Sequence, residues 1–171
     1  MGESKLFQIC YEGELTVDVS HAMRRLGAEA NFDQSWHVWL PEGRHAAPLV
    51  RWLRTQLGEE ARIFIGAAHL TTSRDFLLVR HSLTPGADYG ELHDALDRLG
   101  TVVELPFEST FVIRSDDRTD VNTLGAALGE LCPDDSLMVI GVSHDWAYCD
   151  GRVSRMHVAA SQHEALHFRT F

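Results

Sequence analysis

Arg25-Leu26-Gly27 and Ile65-Gly66-Ala67-Ala68-His69 return later in the chain as Arg98-Leu99-Gly100 and Ile140-Gly141-Val142-Ser143-His144. The two offsets, 73 and 75 residues, are nearly equal. A repeat of that period in 171 residues leaves room for two copies of one unit and a short tail. The fold therefore follows from what lies between the anchors.

The first unit opens with an apolar strand, Leu6 to Tyr11. A helix follows from Val17, with Thr16 as its N-cap and Val19, Ala22, Met23 and Leu26 at the spacing of one buried face. Gly27 sits where a helix stops. Strands are predicted over Glu29–Phe32 and Ser35–Leu40, then a turn at Pro41-Glu42-Gly43. A second helix runs over Ala47–Leu57, with Pro48 tolerated in its first turn and Gly58 ending it. Arg62–Ala68 is the last strand. The second unit repeats the order: strand Phe76–Arg80, a helix on Leu92, Ala95, Leu96 and Leu99, and strands Val102–Leu105 and Ser109–Arg114. A helix over Asp120–Leu131 and the almost wholly apolar strand Leu137–Val142 complete it.

Each unit reads βαββαβ, the split-βαβ or ferredoxin-like pattern. A unit of about 70 residues is marginal on its own. Packing the two sheets face to face gives both a shared core. The prediction is an α+β chain built as a covalent pseudo-dimer, with units over 1–74 and 75–150 and an extension over 151–171. That extension reads either as an extra strand crossing to the other unit before a short helix, or as a tail.

Composition narrows the function. The hydrophobic share of 44% suffices for an ordinary core. No apolar run approaches the roughly 18 residues of a membrane span, and Met1–Tyr11 lacks the basic-then-apolar order of a secretory signal. Cys10, Cys132 and Cys149 have no metal spacing and fit a reducing compartment. A cytoplasmic protein without a membrane partner is expected. The net charge of -10 works against non-specific binding to nucleic acid. It is unevenly spread: residues 1–74 carry 8 basic and 9 acidic side chains, residues 75–171 carry 7 and 16. Any phosphate contact belongs in the first half.

Several constellations have candidate chemistry. Trp36, Trp39 and Phe32, with Arg44, Arg51 and Arg54, have the ingredients of a base-stacking, phosphate-binding platform; the ordinary reading is core aromatics beside solvated arginines. Trp36 and Trp39 have opposite strand parity, so at most one faces inward. His37 is expected on the face away from the core. His163-Glu164-Ala165-Leu166-His167 matches H-E-x-x-H, which on a helix sets two histidines on one face for zinc. Only four residues follow His167, and an upstream third ligand such as His157 would be unusual, so a plain terminal segment is the simpler reading. His69 and His144 fall at equivalent places in the repeat, where an inherited packing role is the simpler reading. Cys149 has Asp150 beside it, which does not favour a thiolate nucleophile. No P-loop, G-x-G-x-x-G, G-x-S-x-G or C-x-x-C is present.

The second unit also carries a resemblance. Val79-Arg80-His81-Ser82-Leu83-Thr84-Pro85-Gly86-Ala87-Asp88-Tyr89 resembles the opening of SinR-like proteins. Arg98-Leu99-Gly100, Glu108-Ser109-Thr110-Phe111-Val112 and Asp134-Asp135-Ser136-Leu137 resemble their later landmarks. These proteins are relatives of the CRISPR-associated Cas-two subunit and of the VapD toxin ribonucleases, small ferredoxin-like proteins that act as dimers. The resemblance covers residues 75–150, and 5–69 only through the repeat. It implies an acidic residue at the end of each first strand, two of which across a dimer hold a divalent cation that activates water. In unit one the matching pair is Tyr11-Glu12; in unit two the position falls at or near His81, without a carboxylate.

The expected site is therefore Glu12 facing His81, able to bind Mg²⁺ or Mn²⁺ or to act as base and acid. Losing one of two metal carboxylates reads as degeneration. The favoured expectation is an adaptor or scaffold, a monomeric pseudo-dimer or a homodimer. It needs no cofactor, holds a protein partner and reaches nucleic acid, if at all, through residues 1–74. The resemblance alone adds phage or mobile-element defence. The alternatives are a metal-dependent ribonuclease or deoxyribonuclease using Glu12, and an acidic antitoxin-like inhibitor.

Overall fold

A computed structural model describes residues 4–69, 76–82, 90–99, 101–114, 119–133, 136–151 and 157–158. Helices form where the capping signals put them. Thr16 Oγ1 accepts the Val19 N–H at 3.4 Å to start α1 (Val17–Leu26), and Gly27, at φ 73, ends it. Asp120 Oδ1 accepts the Thr123 N–H at 2.8 Å to start α4 (Val121–Leu131). Between them come α2 (Ala46–Leu57) and α3 (Gly90–Leu99).

The strands are β1 (Ser4–Glu12), β2 (Glu29–Phe32), β3 (Ser35–Pro41), β4 (Arg62–His69), β5 (Phe76–His81), β6 (Thr101–Phe107), β7 (Thr110–Arg114), β8 (Leu137–Asp150) and β9 (His157–Val158). They hydrogen-bond into one antiparallel sheet in the order β2-β3-β1-β4-β8-β5-β7-β6, with β9 on β8. The chain is α+β. In each half the strand order runs fourth, first, third, second.

β8 joins the halves. Its residues 137–142 pair with β5, and 146–150 and then 141–142 pair with β4 on either side of a register shift at Gly66–Ala68. Sequence reading ended this strand at Val142; the strand runs eight residues further, to Asp150. Within the extension Ala147, Tyr148 and Cys149 are buried. The crossing onto the first half is thus made before the 151–171 extension begins. Of that extension the structure describes Gly151 and β9, which pairs with Ala147 and Tyr148.

Among the described residues the apolar side chains gather in three clusters. Phe7, Ile9, Val38, Ile63 and Ile65 pack against Met23 of α1 and Leu53 of α2. Leu77, Val79, Phe111 and Ile113 pack against Leu92, Leu96, Leu124 and Leu128 of α3 and α4. The strand side chains that point away from the helices meet in a middle cluster: Cys10, Phe64, Trp146 and Tyr148 with Phe76, Leu78, Phe107 and Val112. Side-chain alternation produces this division, because neighbours along a strand serve opposite faces.

That alternation also corrects the register of the repeat. Ile65 belongs to the first cluster, whereas Ile140 packs on the middle one, so matching the two turns a strand over. The hairpins show which positions occupy the same place in the two halves. Tyr11 N–H donates to Gln34 O and His81 N–H to Ser109 O, each at 3.0 Å. Cys10 stands opposite Ser35, and Arg80 opposite Thr110. Tyr11 is therefore the counterpart of His81, and Glu12 that of Ser82.

Candidate functional site

Glu12 closes β1 on the side of the middle cluster. Its Oε1 accepts from Arg62 Nη1 at 2.9 Å, and its Oε2 from Ser109 Oγ at 2.8 Å. Arg62 is its cross-strand neighbour on β4 and lays its guanidinium over the Phe107 ring, 5.2 Å from the centroid. Ser109 belongs to the β6–β7 turn of the other half. The carboxylate is thus held from both halves.

His81 takes the opposite face of its strand. Only 2% exposed, its ring stacks on Phe111, with centroids 5.6 Å apart, on the α3–α4 side. The ends of β1 and β5 do come together, but through other groups. Arg80 Nη2 donates to Tyr11 O at 2.8 Å, Arg80 Nε to Asp33 O at 3.2 Å and Arg80 Nη1 to Thr110 Oγ1 at 2.8 Å. Ser82 Oγ donates to Asp33 Oδ2 at 3.2 Å. The two halves therefore exchange reciprocal contacts. Glu12 at the end of β1 meets a serine in the other half's turn, and Ser82 at the end of β5 meets an aspartate in the first half's turn. The residues that sequence reading missed are Arg80, Ser82, Ser109, Asp33 and Arg62. A legible signal existed for Arg80, a lone charge ending the apolar run Phe76-Leu77-Leu78-Val79.

Chemically this is a balanced cluster of two guanidinium groups and two carboxylates. A divalent cation at Glu12 would have to displace Arg62 and the Ser109 hydroxyl and sit near the Arg80 charge, with a serine where a second acid is wanted. These residues do not fit such a site. Among the described residues, no three or more His, Cys, Asp or Glu side chains gather as metal ligands. His163 and His167 lie outside the described residues.

The proposed stacking platform is dispersed. Trp36 is half-buried against the α1–α2 cluster, while Trp39 points to the other face and is 53% exposed. His37 shares that second face and pairs with Glu29 at 3.6 Å. Arg44 and Arg51 are exposed, and Arg54 Nε donates to Glu59 O at 3.3 Å. His144 lies inside β8, edge-on to Phe76, whereas His69 ends β4 opposite Gly141.

Burial pushes the Cys10 thiol above its ordinary value, against the opposing pull of Arg80. It raises Cys149 too, with Asp150 adding to the rise. Tyr11 is raised first by burial and then by Glu14. None of the three is poised as a nucleophile.

No family model and no curated protein matches the chain. Among solved structures, an unknown protein from Galdieria sulphuraria aligns over 82% of this chain and 100% of its own, at 16% identity and a TM-score of 0.29. Among the described residues no helix is long and apolar enough to cross a membrane.

Proposed function

We propose that the chain is a tandem ferredoxin-like protein of the SinR-like group. Its two βαββαβ units form a covalent pseudo-dimer around the middle cluster. It works without catalysis, as an adaptor that holds a protein partner in phage or mobile-element defence. The observation that carries this reading is the state of Glu12. Both oxygens of the one acid in the expected position are engaged, by Arg62 and by Ser109 of the other half, and its counterpart is Ser82. An acid that once served a metal would be re-used here as a fastening between halves. Fusion permits that change, because the two copies of a site in one chain are free to diverge.

The test is cleavage of labelled single- and double-stranded RNA and DNA with Mg²⁺, Mn²⁺ or EDTA. Wild type and Glu12→Ala are expected to leave every substrate intact, and Glu12→Ala to unfold at lower urea. Metal-dependent cutting that disappears in Glu12→Ala would overturn the reading and make Glu12 the centre of a nuclease.

A further inference from the structure

The two helix layers carry opposite charge. On α1 and α2, Arg24, Arg25, Arg51 and Arg54 stand against the single acid Asp18. On α3 and α4, Glu91, Asp94, Asp97 and Glu130 stand against the single base Arg98. All but the half-buried Arg54 are exposed. Among the described residues none of the ten takes part in an ion pair within the chain. Each helix pair covers only the outer face of its half, since the inner faces share the middle cluster. The layers also match in length: helices of 10 and 12 residues on the cationic side, 10 and 11 on the anionic side.

We propose that the α1–α2 face of one copy docks on the α3–α4 face of a second copy, head to tail. A second copy offers helices of matching length, with four acids for four arginines. A nucleic-acid duplex, anionic throughout, complements the arginines but leaves the acidic α3–α4 layer without a partner. The contact is heterologous and does not close on itself, so it builds open chains rather than a fixed dimer. Exposed ion pairs are individually weak, so assembly depends on concentration and salt. This assembly goes beyond the adaptor reading and stands or falls apart from it.

Sedimentation of the full chain at about 0.1 M salt, up to about 1 mM protein, tests it. The mass of wild type is expected to rise with concentration and to fall back to the monomer in about 1 M salt. R24E/R51E makes both layers acidic, and D94R/D97R makes both basic. Each alone is expected to stay monomeric with an unchanged far-UV spectrum, while an equimolar mixture associates again. A wild type that is monomeric throughout overturns the proposal. So does either variant associating alone as wild type does, or a mixture that stays monomeric. RNA shifted by a monomeric wild type but not by R24E/R51E assigns the face to nucleic acid instead.

Discussion

A charge in a dry interior is stable only if its donors are met. Arg80 is 4% exposed, and it meets neutral oxygens: two carbonyls of the first half and the hydroxyl of Thr110. Asp33 O keeps a donor in Ser35 Oγ at 3.2 Å, but Arg80→Met is expected to strip the guanidinium from Tyr11 O and Thr110 Oγ1 and to cost roughly 2 kcal/mol in urea unfolding. Arg80→Lys should recover less than half, because one ammonium cannot reproduce the fork; a loss under about 0.5 kcal/mol would make the contacts incidental. The thiols give a second expectation. Cys10 and Cys149 lie above the ordinary 9.0 in the folded chain, so the native state keeps protons that the unfolded state has released. Their contribution is whole below pH 9 and is lost as pH rises through the folded values. Stability should fall above pH 9, and Cys10→Ala/Cys149→Ala should flatten that limb; an unchanged slope would contradict it. At this scale one residue of the cluster was legible and its partners were not. Glu12 stands out as the acid ending the first strand. The matching position in the second half, read as at or near His81, is Ser82 by the hairpin hydrogen bonds; backbone pairing sets that register, because identity of letters carries no parity.

At the scale of elements, the Thr16 cap and apolar spacing located α1, and apolar spacing located α4, because these signals are local; of the α4 face Leu124 and Leu128 are buried, while Val121 and Leu131 are exposed. β8 was not legible to its end. Ser143-His144-Asp145 reads as a polar break, and what keeps it in the strand is contributed from far along the chain. Asp145 Oδ2 accepts from Lys5 Nζ at 2.6 Å and contacts His45 Nδ1 at 3.2 Å, while Oδ1 accepts the Ala46 N–H at 2.9 Å. His45, at the N-cap of α2, makes no side-chain cap of its own. Asp145 therefore caps α2 from the opposite end of the sequence and fastens the crossing strand at its bend. Asp145→Ala is expected to cost about 1–2 kcal/mol, the range of a lost cap plus its dipole contact. The loss should be smaller in high salt. Amide exchange should quicken in the first turn of α2 and along the 146–150 pairing with β4. Faster exchange in α2 alone would separate the cap from the crossing.

For the whole molecule, the question is whether two similar halves unfold as one. The first half lacks its own outer strand beyond β4; residues 146–150 of β8 supply it. Its inner face, with Cys10 and Phe64, is covered by Phe76, Leu78, Phe107, Val112, Trp146 and Tyr148 of the second half. Removing either half therefore exposes a strand edge and an apolar face together, and both are costly. A single cooperative transition follows. Trp146 reports the middle cluster, stacked 6.2 Å from Phe64 and 6.3 Å from Tyr148. The other tryptophans, Trp36, Trp39 and Trp52, lie in the first half and can be replaced by phenylalanine to leave Trp146 alone. Its emission and the far-UV signal of all the helices should then change at the same urea concentration. A chain ending at residue 74 should stay unfolded, with collapsed amide dispersion. If that fragment folds, or if the two signals separate, the halves are independent domains, and the strand that passes between them is a link rather than part of a common core.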